Sequence, residues 1–247
     1  MLKKIILYGL LLLSLFGLIF SSYKIICWYI DNQKTQEQIE KVEKFIEEIP
    51  KTNSKDSNIT VDFSSLLKEN KEVKGWVQIP NTNINYPFVQ HSDNSYYLTH
   101  SFDNSYNNAG WIFLDYRNNI EQLDTNTIIY GHGRVDGTMF GSLKNVLTEE
   151  WLNDSNNYKI IIYLPETTYT FEIFSAYHIN TTDDYLKTNF NSIKEYEEFL
   201  NLIKNRSTYS FPTTVSTNDK ILTLSTCFND KEKMVVHGKL ILDELEG

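Results

Sequence analysis

The chain is poor in the residues that build several common sites. Among its 247 residues there are two cysteines, Cys27 and Cys227, which excludes a disulfide framework and a cysteine-rich zinc site. No His-x-His, His-Glu-x-x-His or carboxylate cluster occurs, so neither a catalytic metal nor any cofactor is expected. Basic residues are the minority, 23 Lys and Arg against 32 Asp and Glu, for a net charge of −9. With no basic stripe either, nucleic-acid binding is excluded. Ten glycines and five prolines are too few for a collagen-like repeat. There is no internal repeat and no low-complexity segment beyond a bias toward asparagine. Hydrophobic residues make up 41% and aromatics 14% of the chain, which is core material enough to set general disorder aside.

What is present begins with a long apolar run. Lys3 and Lys4 precede Ile5 through Ser22, an uncharged stretch that as a helix is roughly 27 Å long. After Lys24 the apolar character resumes through Ile30, with Trp28 and Tyr29 suited to a lipid headgroup layer. A cleaved signal peptide is the alternative to an uncleaved anchor. The anchor is favoured, because the run is long for a signal and no convincing small-x-small site follows it. Lysines ahead of the span place the N-terminus in the cytoplasm and the remainder outside, on one membrane pass. Cys27, at the membrane edge, reads as a packing residue.

About 217 residues remain, the size of one domain or two small ones. The periodicity divides the chain into an anchor over 1–30, a helical stalk over 31–72 and a β-rich domain over 73–247. Gln38, Ile39, Val42, Phe45 and Ile46 recur at helical spacing and predict a helix over 31–48, ended by Pro50. Asp62 predicts the cap of a short helix running to about Glu72. Strands are predicted at 75–79, 84–90, 96–102, 109–115 and 126–132, and a short helix over 142–152. A hairpin over 158–164 and 168–179 follows, then an amphipathic helix over 193–203 and closing strands at 220–227 and 233–242. The expected fold is mainly β: a closed or nearly closed barrel of eight or nine strands with inserted helices, behind one transmembrane helix.

Two residues stand where chemistry is done. Cys227 ends an apolar strand ahead of Asn229 and Asp230, at a rim rather than in a core. His132 ends another, in Tyr130-Gly131-His132-Gly133, where the glycines open space around the imidazole. Either alone reads as structural, the Cys as a small buried hydrophobe and the His as a satisfied or solvated side chain. Both at strand ends of one small domain, 95 residues apart, can meet across the barrel. Such a pair supports acyl transfer, in which a thiolate attacks a carbonyl and an imidazolium donates to the leaving amine. His178 and His237, in apolar strands, read as structural.

Tyr-Gly-His-Gly, then Thr-Leu-Ser-Thr-Cys, then Met-Val-Val-His-Gly-Lys-Leu resembles the sortases, cysteine transpeptidases of Gram-positive cell surfaces. The likeness covers roughly residues 70–245 and is closest to class B. Asn83-Ile84-Asn85-Tyr86-Pro87, the block Ala109–Asn118 and a helix before the cysteine strand support that class. The resemblance implies a sortase-type barrel in which Cys227 is the nucleophile and His132 its acid/base partner. A family arginine two positions ahead of Val-Val is Lys233 here, a departure that exchanges a planar fork of donors for a point charge. Of the three arginines, Arg117, Arg134 and Arg206, Arg134 is the one expected near enough to substitute.

Further matches imply a substrate groove formed by Asn94, by Thr181, Tyr185 and Leu186 in the loop before the long helix, and by Ser225 and Thr226 beside the thiol. The implied partners are surface proteins carrying a C-terminal sorting signal similar to Asn-Pro-x-Thr-Asn, a peptidoglycan amine as acceptor, and the membrane through the N-terminal helix. Two other functions stay open on the residues: a surface cysteine protease that hydrolyses its acyl-enzyme, and a non-catalytic wall-binding barrel.

Overall fold

The computed structural model describes residues 2–49, 58–180, 182–227 and 232–241; of Cys227 it describes the backbone alone. The chain opens with one unbroken helix, α1 (Leu2–Glu43). Its N-terminal apolar part is exposed and long enough to cross a membrane. The C-terminal part buries Thr35, Ile39 and Val42. A polar face opposite those three residues keeps the helix amphipathic where it meets protein, whereas the apolar run has no polar face.

The predicted helix over 31–48 is therefore an extension of the apolar one, and it stops earlier. At Ile46–Ile49 (β1) the chain is extended and pairs antiparallel with Asn58–Val61 (β2). Helical periodicity continues through Ile46, but strand pairing overrides so weak a local preference. Asp62 caps α2 (Phe63–Glu69) as expected, its carboxylate accepting from the Ser65 amide at 3.0 Å.

Eight strands then form a closed barrel. They are β3 (Val73–Gln78), β4 (Asn85–Val89), β5 (Phe113–Leu114), β6 (Asn126–His132), β7 (Lys159–Tyr163), β8 (Thr168–Asn180), β9 (Ile221–Cys227) and β10 (Glu232–Ile241). The order around the barrel is β10-β8-β7-β3-β4-β5-β6-β9, and β9 pairs with β10 to close it. Closure pairs every barrel strand with a neighbour on each side, although β4 and β5 meet at Val89 and Phe113 alone. Most pairs are antiparallel; β4–β5 and β6–β9 are parallel. A parallel pair needs a long crossover. Between β6 and β9 it contains α3 (Glu149–Leu152), the β7–β8 hairpin and α4 (Ile193–Asn205).

Two predicted strands shrink. Over 96–102 the chain makes a 3-10 turn at Tyr96–Leu98 instead. The apolar alternation is real, but Asp93 Oδ1 accepts from the amides of Ser95 (2.6 Å) and Tyr96 (2.9 Å) and bends the chain first. Over 109–115 only Phe113 and Leu114 pair, because Gly110 adopts φ +61° and interrupts the extended run. The predicted helix over 142–152 is a 3-10 turn, Leu143–Leu147, followed by α3.

A main core fills the barrel around Trp76, Phe88, Trp111, Ile129, Phe140 and Leu224. A second cluster joins α4, through Tyr196, Phe199, Leu200 and Ile203, to Phe174, Tyr177, Tyr185, Ile221 and Val235. Within it His237 is fully buried, whereas His178, expected to be structural as well, is exposed. The Thr223 hydroxyl donates to Asn126 Oδ1 at 2.7 Å, so it accepts from His237 Nδ1 at 2.9 Å. That fixes the Nδ1–H tautomer, and Nε2 accepts from the Tyr177 hydroxyl at 2.9 Å. Burial, helped by the Arg206 charge, pulls the His237 pKa down to about 3 from 6.5.

Between those two values the unfolded chain binds a proton that the folded chain refuses, so stability falls as pH drops below about 6.5. The slope expected from this residue approaches about 1.4 kcal/mol per pH unit. Urea unfolding from pH 7.5 to 4.5 checks it: His237→Gln should be less stable at pH 7.5 and markedly less sensitive to acid. An unchanged pH slope in that variant would remove His237 as the cause.

Candidate active site

The ends of three neighbouring strands define one row. In the parallel β6–β9 pair the register sets His132 opposite Cys227, and in the antiparallel β9–β10 pair it sets Lys233 opposite Cys227. Adjacent strands lie about 4.8 Å apart, so the backbone of Cys227 stands midway between those of the imidazole and the ammonium. His132 and Lys233 both line a cleft of about 440 Å³. Ser225 and Thr226, the two residues before Cys227, line it as well, as do Asn94 and Leu186.

His132 is held along one edge of its ring. Its Nε2 lies 2.7 Å from the Leu98 carbonyl oxygen, which can only accept, so Nε2 carries the hydrogen. Among the described residues Nδ1 has no hydrogen-bond partner. Gly110 lies along the same edge of the ring: a Cβ there would stand 2.8 Å from His132 Cδ2, 2.9 Å from the Leu98 carbonyl oxygen and 2.5 Å from the Tyr97 carbonyl oxygen. Gly131, expected to open space for the imidazole, instead makes room for the Phe140 ring, which a Cβ would meet at 2.8 Å. The glycine the histidine depends on is thus Gly110, 22 residues upstream and invisible in the Gly-His-Gly pattern.

The cations divide. Lys233 Nζ is 3.4 Å from Asp183 Oδ1 and 5.7 Å from the centre of the Tyr185 ring. Tyr185, expected in the groove wall, is buried, and its hydroxyl is 2.9 Å from Ser225 Oγ. Arg134 faces away from the cleft lining. Its guanidinium binds Asp136 Oδ2 at 2.7 Å, Thr138 Oγ1 at 2.8 Å and Asn32 of α1. The arginine that does line the cleft is Arg117, and Arg206 is paired with Asp184 at 2.6 Å. Arg134 follows His132 closely in sequence, but the chain turns after β6 and directs its side chain toward α1, where it is largely buried. Thr181 lies outside the described residues.

Arg117 belongs to a network around Asp115 that sequence reasoning left without a role. The Asp115 carboxylate is fully buried. It accepts from Arg117 Nε (2.8 Å) and Nη2 (2.7 Å), the Tyr130 hydroxyl (2.8 Å) and Asn94 Nδ2 (2.9 Å). Burial pushes its pKa up, but the Arg117 bonds, with help from Tyr130 and Asn94, outweigh it and hold the carboxyl below the usual range. Arg117 Nη2 also donates to the Leu186 carbonyl at 3.0 Å. One buried carboxylate thereby orients the three polar side chains on this wall of the cleft and ties them to the loop opposite. Tyr130 was legible: it sits two residues before His132, hence on the same strand face.

A closed barrel whose parallel strand pair ends on His and Cys beside a polar cleft defines a class, the barrel cysteine transpeptidases. A family model for the sortase domain matches residues 77–241. Sortase B of Listeria monocytogenes is 36% identical over 227 residues, 90% of this chain and 92% of that protein. A Staphylococcus aureus sortase B–substrate complex superposes with a TM-score of 0.68 at 34% identity, covering 74% of this chain and 85% of that one. A sortase B complexed with triglycine gives 0.69 at 34% identity, over 74% and 86%. The chain belongs to the sortase family and is of class B.

The Gly110 contact gives a direct test. Gly110→Ala forces a side chain into positive φ, at a cost of about 1–2 kcal/mol, and presses on the imidazole. Displacing His132 by a fraction of an ångström should lower transpeptidase kcat/KM by about 10²-fold while the protein stays folded. Activity within twofold of the parent would mean that this contact does not position the histidine.

Proposed function

We propose that this enzyme is a membrane-anchored sortase that cuts a C-terminal sorting signal similar to Asn-Pro-x-Thr-Asn and joins the new carboxyl end to a peptidoglycan amine. The row of His132, Cys227 and Lys233 at the cleft carries this reading. Cys227 is the nucleophile. Its thiolate adds to the threonine carbonyl carbon, the scissile C–N bond breaks, and the leaving amine takes a proton from His132. Because Nε2 is bound to the Leu98 carbonyl, Nδ1 is the nitrogen that exchanges this proton. An acceptor amine then attacks the thioester, gives a proton back to His132 and releases the thiolate.

Lys233 supplies the cation beside the developing oxyanion, with Asn94, Leu186, Ser225, Thr226 and, on the resemblance alone, Thr181 shaping the groove, and Tyr185 holding Ser225 from the buried side. An ammonium offers charge without the two-pronged geometry of guanidinium, so it stabilises the oxyanion as a point charge. Substrate and triglycine complexes of related enzymes support a peptide donor and an amine acceptor. Residues 1–30 serve as the anchor, 31–72 as the connecting segment and 73–247 as the catalytic domain. Lys3 and Lys4 favour a cytoplasmic N-terminus and an extracellular barrel.

A sorting peptide incubated with and without an amine acceptor tests the reaction: the amide product should form only with acceptor, and hydrolysis alone would make the enzyme a protease. Cys227→Ala should abolish cleavage, and His132→Ala should lower it at least about 10³-fold. Lys233→Ala should cost about 10²-fold in kcat/KM, roughly 2.7 kcal/mol, and Lys233→Arg should retain or raise activity. Arg134→Ala should stay within about threefold, since its guanidinium is committed to Asp136, Thr138 and Asn32. A damaging Arg134→Ala beside a silent Lys233→Ala would transfer the role to Arg134.

A further inference from the structure

We infer that the barrel face formed by the Tyr106–Asn108 and Arg134–Gly137 loops rests on the lipid headgroup layer, so that the cleft opens at the membrane surface. The inference deepens the anchor reading above and rests on it. It starts from where α1 first meets the barrel. Asn107 Nδ2 donates to the Asp31 carbonyl at 3.2 Å and to Thr35 Oγ1 at 3.0 Å; Asn108 Nδ2 donates to Asp31 Oδ2 at 2.9 Å. Arg134 binds Asn32 on the same turn. These contacts begin immediately after Trp28, Tyr29 and Ile30, all exposed, which are the aromatic and apolar end of the span.

At 1.5 Å per residue, Trp28 and Asn32 are about 6 Å apart along the helix axis. Both loops therefore lie within about one helical turn of the residues that sit among headgroups. The helix cannot swivel to carry them away. It has no break between Leu2 and Glu43, and farther along it Gln38 donates to Asp103, Lys41 pairs with Glu69, and Ile39 and Val42 are buried.

What the two loops expose is an independent observation. Val135 is 98% exposed, more than any other large hydrophobic side chain among the described residues, and Tyr106 is 61% exposed. In water an apolar tip of this kind gains nothing, whereas at a bilayer interface a valine and an amphipathic tyrosine ring are both favoured. Arg134 and Asp136 neutralise one another, so the loop between α1 and the cleft brings no unpaired charge to an anionic surface. The amide of Arg134 donates to the His132 carbonyl at 3.1 Å, which joins this face to the rim of the cleft.

The test uses the full chain carrying Cys27→Ser and Cys227→Ala. A single cysteine replaces Val135, Tyr106 or Glu166 and carries an environment-sensitive dye. The protein is reconstituted in phosphatidylcholine–phosphatidylglycerol vesicles with a nitroxide lipid labelled near the headgroup. Probes at 135 and 106 should shift to the blue and lose emission to the nitroxide. A probe at 166, on the β7–β8 turn, should do neither. Flotation with the vesicles reports the anchor separately. If the protein floats and all three probes behave alike, the surface assignment is wrong and the anchor stands. If it does not float, both are wrong. Tyr106 and Val135 lie on different loops, so misfolding of one variant leaves the other to decide.

Discussion

The parallel pairing of β6 with β9 is the constraint on which the rest depends. It joins the two ends of the long crossover, and at its end it holds His132 and Cys227 in register. A one-residue slip would reverse the face of every β9 side chain, taking Leu222 and Leu224 out of the core and Cys227 out of register with His132. Fold stability and site geometry are therefore enforced by the same hydrogen bonds. His237 reinforces that register from outside the cleft, because its imidazole bridges Tyr177 on β8 and Thr223 on β9.

Around that pair the chain spends buried polar groups on orientation. Asp115 is a desolvated charge made tolerable by five donors, the Arg117 amide among them, and such a group fixes its partners because any partner lost leaves it uncompensated. The wall it organises is consequently stiffer than a loop of comparable length. On the opposite side Lys233 approaches a ring face and a single carboxylate of an exposed aspartate, a looser environment. The cleft thus has one wall dense in buried hydrogen bonds and one whose cation is paired only with an exposed carboxylate and a ring face.

Most of the architecture was legible, because eight strands and the α4 amphipathic face follow from periodicity alone. The strands that failed did so for local reasons: the Asp93 turn at Tyr96–Leu98 and the positive φ of Gly110 each interrupt an alternation that is otherwise present. The end of α1 was missed because Phe45 and Ile46 continue the stripe while the chain leaves it to pair with Asn58–Val61. At the site, strand-end position singled out His132 and the family resemblance singled out Lys233, and both lie opposite Cys227 in the strand register. Gly110 escaped because it meets His132 across 22 residues, and Asp115 with Arg117 because their pairing, though local, gains its role from Asn94, Tyr130 and Leu186, which no spacing rule connects to them. Arg134 was misplaced for the converse reason: nearness in sequence says little about direction after a turn.

The long crossover before β9 also sets an order of events. Strands β3 to β8 are complete before β9 emerges from synthesis, and pairing across so wide a separation is slow. The imidazole therefore waits at an open barrel seam until the strand bearing Cys227 is laid in beside it. Until then the thiol has no imidazole opposite it and no cleft to face. The row of His132, Cys227 and Lys233 is therefore among the last features of the fold to form, since it needs both β9 and β10 in place.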